Sequence, residues 1–191
     1  MKGIFLDTET NGLDWTKHQV LEIAIILVDL SNGKKIDEYA SLIQISTHNW
    51  SKSDPESLKF TGITFDEVQM GKPKKLVQQE LLHFFQSNGL KRGKALFICQ
   101  NPSFDRIFFN SLIEVATQES LYFPYNWLDL ASMFWCNQVK KGYPIDQIGL
   151  SKDRIAHFFK IGPEKKPHRA LAGVSHLIEC YEKVVGFPEH L

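Results

Sequence analysis

The sequence predicts a mixed α/β domain: one central sheet, built from an antiparallel three-strand meander plus parallel strands, with helices on both faces. Three observations carry that expectation. Up to residue 45 the chain consists of β-type runs separated by turn signals; from Asp54 the caps and periodicity become helical; and between Ala95 and Val139 strands and helices alternate.

The first apolar run starts at residue 4 and ends in Asp7 and Glu9, which lie two apart and so project from the same side of a strand. Asn11-Gly12 is the expected turn. Residues 20–29 are β-branched and almost continuously apolar, as in a strand buried on both faces. Ser31-Asn32-Gly33-Lys34 turns the chain, and Ile36, Tyr39, Leu42, Ile43 and Ile45 mark a third strand. Asp54 before Pro55 reads as an N-cap with proline at the first helical position, for a short helix to about residue 60 that Gly62 ends. Thr64 with Glu67 forms a capping box, and residues 73–87 have the spacing of an amphipathic helix closed by Asn88-Gly89. Residues 95–99 are a short strand, after which Ser103 is expected to cap a helix to about residue 117. Residues 128–130 end another strand ahead of a helix over about 131–139. Ser151 caps a helix to about 159, residues 161–167 form an exposed, mobile Gly/Pro/Lys loop, and His168 opens the last helix, to about 185.

The 191 residues suit a single domain, 1–191, with a core supplied by 43% hydrophobic residues and 14 Phe. Formal net charge is zero, which argues against a histone-like or scaffold binder and leaves any nucleic-acid partner to a local basic patch or a metal. Cys99, Cys136 and Cys180 are odd in number and lack metal-ligand spacing, so they read as reduced, buried thiols in a reducing compartment. The most apolar stretch, 20–30, contains Glu22 and Asp29 and is too short to span a bilayer, and no signal-peptide pattern precedes Asp7. A soluble, cytoplasmic protein with no membrane partner is expected.

Two neighbouring carboxylates repel, and near a core they call for a cation; oxygen donors of this kind suit Mg²⁺ or Mn²⁺. Alone, Asp7 and Glu9 equally fit a strand end with two solvated acids. Asp105 falls in the first turn of its helix, where the helix dipole also favours an acid, and His168 alone also fits a histidine capping a helix start. The predicted topology lets Asp7 and Asp105 converge where strand ends meet helix N-termini.

Taken together, F-L-D-T-E-T-N-G-L (5–13), P-E-S-L-K-F-T-G-I-T (55–64), Q-N-P-S-F-D (100–105) and H-R-A-L (168–171) resemble the DEDDh-type 3′–5′ exonuclease family, similar to the proofreading epsilon subunit of bacterial DNA polymerase III. The resemblance implies an RNase H-like fold, two divalent ions (Mg²⁺ or Mn²⁺), and release of nucleoside 5′-monophosphates from single-stranded DNA or RNA 3′ ends. It further implies that Asp7 bridges the ions, Glu9 helps ligate the first, Asp105 supports the second, and His168 is the general base. Imidazoles as a class titrate near neutrality, which suits that task. Thr10 and Leu13 would touch the terminal nucleotide, with Leu13 wedged against the last base. Glu56 would contact the 3′ end, Thr61 stands where histidine is frequent, and Asn101 belongs to the second motif. A DNA polymerase subunit is an implied partner.

Two positions depart from the family. Gly173 stands five residues after His168, where the family has a metal-ligating aspartate, and Gln100 stands where histidine is frequent. The first departure supports an alternative: a catalytically impaired member that binds nucleic-acid ends or a polymerase partner. His176, one turn beyond Gly173, is either a substitute ligand or a packed histidine. Lys165, Lys166 and Arg169 near the base, and Lys91, Arg92 and Lys94, are either phosphate contacts or solvated faces. A metal-free interaction domain is a third reading.

Overall fold

The meander forms as expected from β1 (Lys2–Thr10), β2 (Val20–Asp29) and β3 (Lys35–Gln44), all antiparallel, in a computed structural model that describes residues 1–190. Leu191, the last residue of the expected domain, lies outside the described residues. Two parallel strands extend the sheet beside β1: β5 (Ala95–Cys99) pairs with β1, and β6 (Trp127–Asp129) pairs with β5. On the other side a two-residue β4 (Lys72–Pro73) pairs parallel with β3, so the order is β4-β3-β2-β1-β5-β6. A pairing of two residues has no periodicity, and the sequence offered no sign of it.

Helices cover both faces because β1 and β2 are apolar on both. Ile4 and Leu6 pack with Phe85 of α4 (Lys74–Ser87) and Phe108 and Phe109 of α5 (Pro102–Leu112). Phe5 faces the other layer, made of α7 (Leu130–Lys140), α8 (Lys152–Phe158) and α9 (Ala170–Val184), with Leu130, Ile155, Val174 and Tyr181. Each such side chain contributes about 1.5–3 kcal/mol when fully buried. The alternation continues past the apolar residues: Asp7 and Glu9 share the register of Phe5 and turn toward α9, while Thr8 turns toward α5. Short helices α1 (Thr47–Trp50), α2 (Pro55–Thr61) and α3 (Phe65–Gln69) follow the meander, and the capping box of α3 and the left-handed Gly62 cap of α2 (φ 65°) are as expected.

Five local expectations are corrected. Asn11-Gly12 does not make a tight turn; the connection spans residues 11–19, closed where Asn11 N–H donates to Gln19 O (3.1 Å) and Gln19 N–H to Asn11 Oδ1 (2.6 Å). Ser103 is not the cap of α5: Asn101, left-handed at φ 56°, holds that position, and Pro102 takes the first turn, where its missing N–H costs nothing. That helix also ends at Leu112, because Ile113 is extended, and the chain restarts as α6 (Val115–Ser120). His168 precedes α9 rather than opening it, since Arg169 is still extended. Cys99 and Cys180 are buried thiols, but Cys136 is exposed on α7. Among the described residues no helix is long and apolar enough to cross a membrane.

Candidate functional site

A cavity of about 620 Å³ opens at the C-terminal ends of β1 and β5, and all nine expected site residues line it: Asp7, Glu9, Thr10, Leu13, Glu56, Thr61, Asn101, Asp105 and His168. Five separate stretches of chain meet there, the start of α8 among them. β1 supplies the two strand acids, α2 supplies Glu56 and Thr61, the β5–α5 junction supplies Asn101 and Asp105, and the segment before α9 supplies His168.

The acids are held under tension. Thr8 Oγ1 donates to Asp105 Oδ1 (2.8 Å), which ties α5 to β1. Burial, and then the neighbouring Asp7, push Asp105 well above the usual carboxylate range, with the Thr8 bond opposing. Burial likewise raises Asp7 to about 6; Lys152 opposes that rise, while Glu164 and Glu22 add to it. Glu9 is pushed to about 8 by burial, then by Asp7 and Glu164. Carboxylates that resist ionising together in this way are stabilised by a nearby cation.

One cation is built in. Lys152, in the first turn of α8, places Nζ 2.8 Å from Glu164 Oε2 and donates to the Gly173 carbonyl at 3.3 Å. Burial works against its charge, yet Asp7, Glu164 and Glu9 hold it above its ordinary value. Glu164 comes from the 161–167 loop and, against the expectation of an exposed loop, is buried. Its Oε1 lies 3.2 Å from His168 Nδ1 but is not aligned with it as a hydrogen bond, so this buried oxygen has no donor. His168 is itself buried, stacked on Phe60 of α2 (centroids 3.9 Å apart, 10° between planes). Sequence reasoning passed over Lys152, Glu164 and Phe60. The available signal was slight: an acid four residues before the expected base, and an aromatic residue inside a motif already singled out.

Gly173 lies directly against this cluster. A Cβ there would overlap the Asp7 carboxylate and come within 3.1 Å of Glu164 Oε1. Among the described residues no three or more His, Cys, Asp or Glu stand already gathered around a metal position. The donors nevertheless fit a hard divalent ion in kind: the buried Glu9 and Asp105 and the half-buried Asp7, all with raised proton affinity, and Glu164 with one oxygen lacking an aligned donor.

The outer residues divide. Leu13 is 75% exposed at the cavity mouth, whereas Thr10 is buried and spends its hydroxyl on Gly12 O (2.8 Å). Asn101 directs Oδ1 to the Ser103 hydroxyl (2.6 Å) and its backbone N–H to Asp129 (3.0 Å). Gln100 donates to Leu150 O (2.8 Å). His176 is the packed histidine of the two alternatives, with Nε2 2.9 Å from Gly162 O. Arg169 is not free for phosphate: it grips Glu22 with Nε and Nη2 (both 3.0 Å) and Glu67 with Nη1 (3.2 Å). Lys91, Arg92 and Lys94 precede β5, at the end of the sheet away from the acids, and Arg92 pairs with Glu119 (2.7 Å).

Residues 4–181 match the exonuclease family RNase_T. Ribonuclease T of Histophilus somni (strain 129Pt) is 26% identical over 198 residues, which covers 97% of this chain and 87% of that protein. The chain spans about three fifths of the length of other ribonucleases T that it matches. Among solved structures, the nuclease domain of 3′hExo, a DEDDh family member bound to rAMP, superposes with a TM-score of 0.70 at 12% identity, over 95% of this chain and 90% of that one. E. coli exonuclease I in complex with a dT13 oligonucleotide gives 0.73 at 18% identity, over 96% and 40%. These likenesses show the fold, which is RNase H-like.

Proposed function

The chain belongs to the exonuclease family, and from that premise we propose that it is a metal-dependent 3′–5′ exonuclease of the DEDDh type, releasing nucleoside 5′-monophosphates from single-stranded DNA or RNA. The observation that carries this reading is the meeting of Asp7, Glu9, Asp105 and His168 at one cavity deep enough for a terminal nucleotide. Residues 1–191 act in it as one exonuclease-like domain.

The terminal base rests against exposed Leu13, Glu56 faces the 3′ end, and Thr10, Thr61 and Asn101 shape the walls around the nucleotide. Asp7, Glu9 and Asp105 would hold two divalent ions, Mg²⁺ or Mn²⁺. Such ions, when bound, lower the pKa of water and offset charge on the phosphorane-like transition state. His168 receives the proton of the attacking water. Its Nδ1 faces Glu164 and its ring is fixed by Phe60, which leaves Nε2 for that transfer. The epsilon-like motifs extend the proposal to a DNA polymerase subunit as partner, and the three free cysteines extend it to action in the reducing cytoplasm.

A second reading has its own observation. Lys152 stands among the acids, and Gly173 removes the family aspartate, as in an impaired member that binds ends without cutting them. A 5′-labelled single-stranded oligonucleotide, as DNA and as RNA, incubated with Mg²⁺ or Mn²⁺ beside an Asp7→Ala control, separates the two. The exonuclease reading expects laddering from the 3′ end that vanishes in the control. Binding without cleavage in either metal would replace it with the impaired binder.

A further inference from the structure

We propose that Glu164 is the carboxylate ligand that replaces the aspartate missing at Gly173, and that the Lys152 ammonium is its placeholder cation until a divalent ion enters. The inference rests on the exonuclease reading and concerns the same site.

Position is the first argument. An aspartate at 173 would begin at a Cβ overlapping the Asp7 carboxylate and 3.1 Å from Glu164 Oε1. The volume that such a side chain would need therefore already holds carboxylate oxygen, and the Glu164 oxygen reaches it from a different segment. Glycine at 173 makes that approach possible, since any side chain would push both acids away.

The state of the Glu164 carboxylate points the same way. The side chain is 3% exposed, Oε2 is paired with Lys152 at 2.8 Å, and Oε1, with His168 Nδ1 3.2 Å away, accepts no aligned hydrogen bond. Leaving a buried acceptor unsatisfied costs about 1–3 kcal/mol, more for a charged group. An oxygen kept in that condition beside Asp7 is available to a cation, and hard oxygen donors select Mg²⁺ or Mn²⁺. The loop that carries it is anchored: His176 on α9 holds the Gly162 carbonyl at 2.9 Å, and His168 N–H reaches Phe60 O at 3.4 Å.

Charge closes the argument. With Glu164 the site again has four carboxylates, and a single ammonium cannot neutralise four once they are ionised. Lys152 bonds both Glu164 and the Gly173 carbonyl, so it holds the substitute ligand beside the position it replaces. An ammonium competes with a divalent ion for the same oxygen atoms, and its removal should favour the ion.

The test counts bound Mn²⁺ by electron paramagnetic resonance of the free ion, with AMP present, and needs no turnover. Wild-type protein should bind two Mn²⁺ per chain. Glu164→Gln should lose one of them or weaken it about tenfold or more, and Lys152→Met should bind Mn²⁺ more tightly than wild type. Glu179→Gln, an equal charge change on the exposed side of α9, should match wild type. Two Mn²⁺ at wild-type affinity in Glu164→Gln would overturn the inference and leave the exonuclease reading standing, whereas no Mn²⁺ on the wild-type protein would overturn both. If a circular-dichroism melt in EDTA shows Glu164→Gln unfolded, Lys152→Met decides: unchanged or weaker affinity there overturns the proposal.

Discussion

Asp7 is the side chain on which the acidic cluster turns, because burial and its acidic neighbours all act on it. Its pKa of about 6 and that of Glu9, about 8, mean that the folded chain keeps protons which the unfolded chain releases from about pH 4 upward. The sign follows: without metal, stability falls as pH rises from about 4 through 8, and a bound divalent ion should flatten the fall. Melting temperatures at pH 5 and 8 in EDTA and in Mn²⁺ check this; a metal-free melting point that is flat or rises across the interval would refute it. Asp7→Asn should then melt a few degrees higher than wild type in EDTA, since it removes a repelling charge, while cleavage falls more than 100-fold. The same crowding makes restoration of an aspartate at 173 more than a simple repair, for its Cβ must first displace the Asp7 carboxylate. Asp7, Glu9 and Asp105 were legible in the sequence because a strand period and a helix first turn place them. Glu164 and Lys152 were not, because a charged residue in a loop or at a helix start ordinarily reads as solvated, and only the tertiary fold buries this pair.

At the scale of elements, the site is closed by α2 meeting the segment before α9. Phe60 stacks on His168, Pro167 packs against Gly62, and Arg169 clamps β2 through Glu22 and α3 through Glu67. The start of α9 was misplaced because residues 161–167 carry Gly and Pro signals that mark a loop without marking its end; the Glu22 carboxylate, which accepts from Ala170 N–H at 2.9 Å, sets the true first turn. Phe60 is 59% exposed, so its ring contributes little to the core. Phe60→Ala should therefore leave stability within about 0.5 kcal/mol. A positioned general base accounts for about 10²–10⁴ of rate, and losing its stacking partner should lower kcat about tenfold with KM little changed. Steady-state kinetics on a short oligonucleotide beside a urea titration read both quantities. A wild-type kcat would mean that Glu164 and the backbone fix the ring unaided.

On the scale of the whole molecule, the meander was legible because its strands are neighbours in sequence, and β5 and β6 because each precedes a helix. β4 and the break between α5 and α6 were not, since both depend on distant packing. Charge at this scale constrains substrate binding. The formal net charge is zero, Arg169 is committed to Glu22 and Glu67, Arg92 to Glu119, and the cluster around Lys91 lies at the wrong end of the sheet. Lys165 and Lys166 are exposed on the segment that leads to His168, and with Lys152 already engaged by the acids they are the two cations assigned here to phosphate. For single strands the logarithm of affinity falls with the logarithm of salt by about 0.7 per phosphate neutralised. Two such contacts give a slope of about −1.4. Fluorescence anisotropy of a labelled single-stranded oligonucleotide in EDTA, from 50 to 200 mM KCl, should return a value near that, with affinity rising when Ca²⁺ replaces EDTA. A slope steeper than about −4 would require a basic track of six phosphates, and the chain would then hold nucleic acid by its surface rather than by the metal cavity.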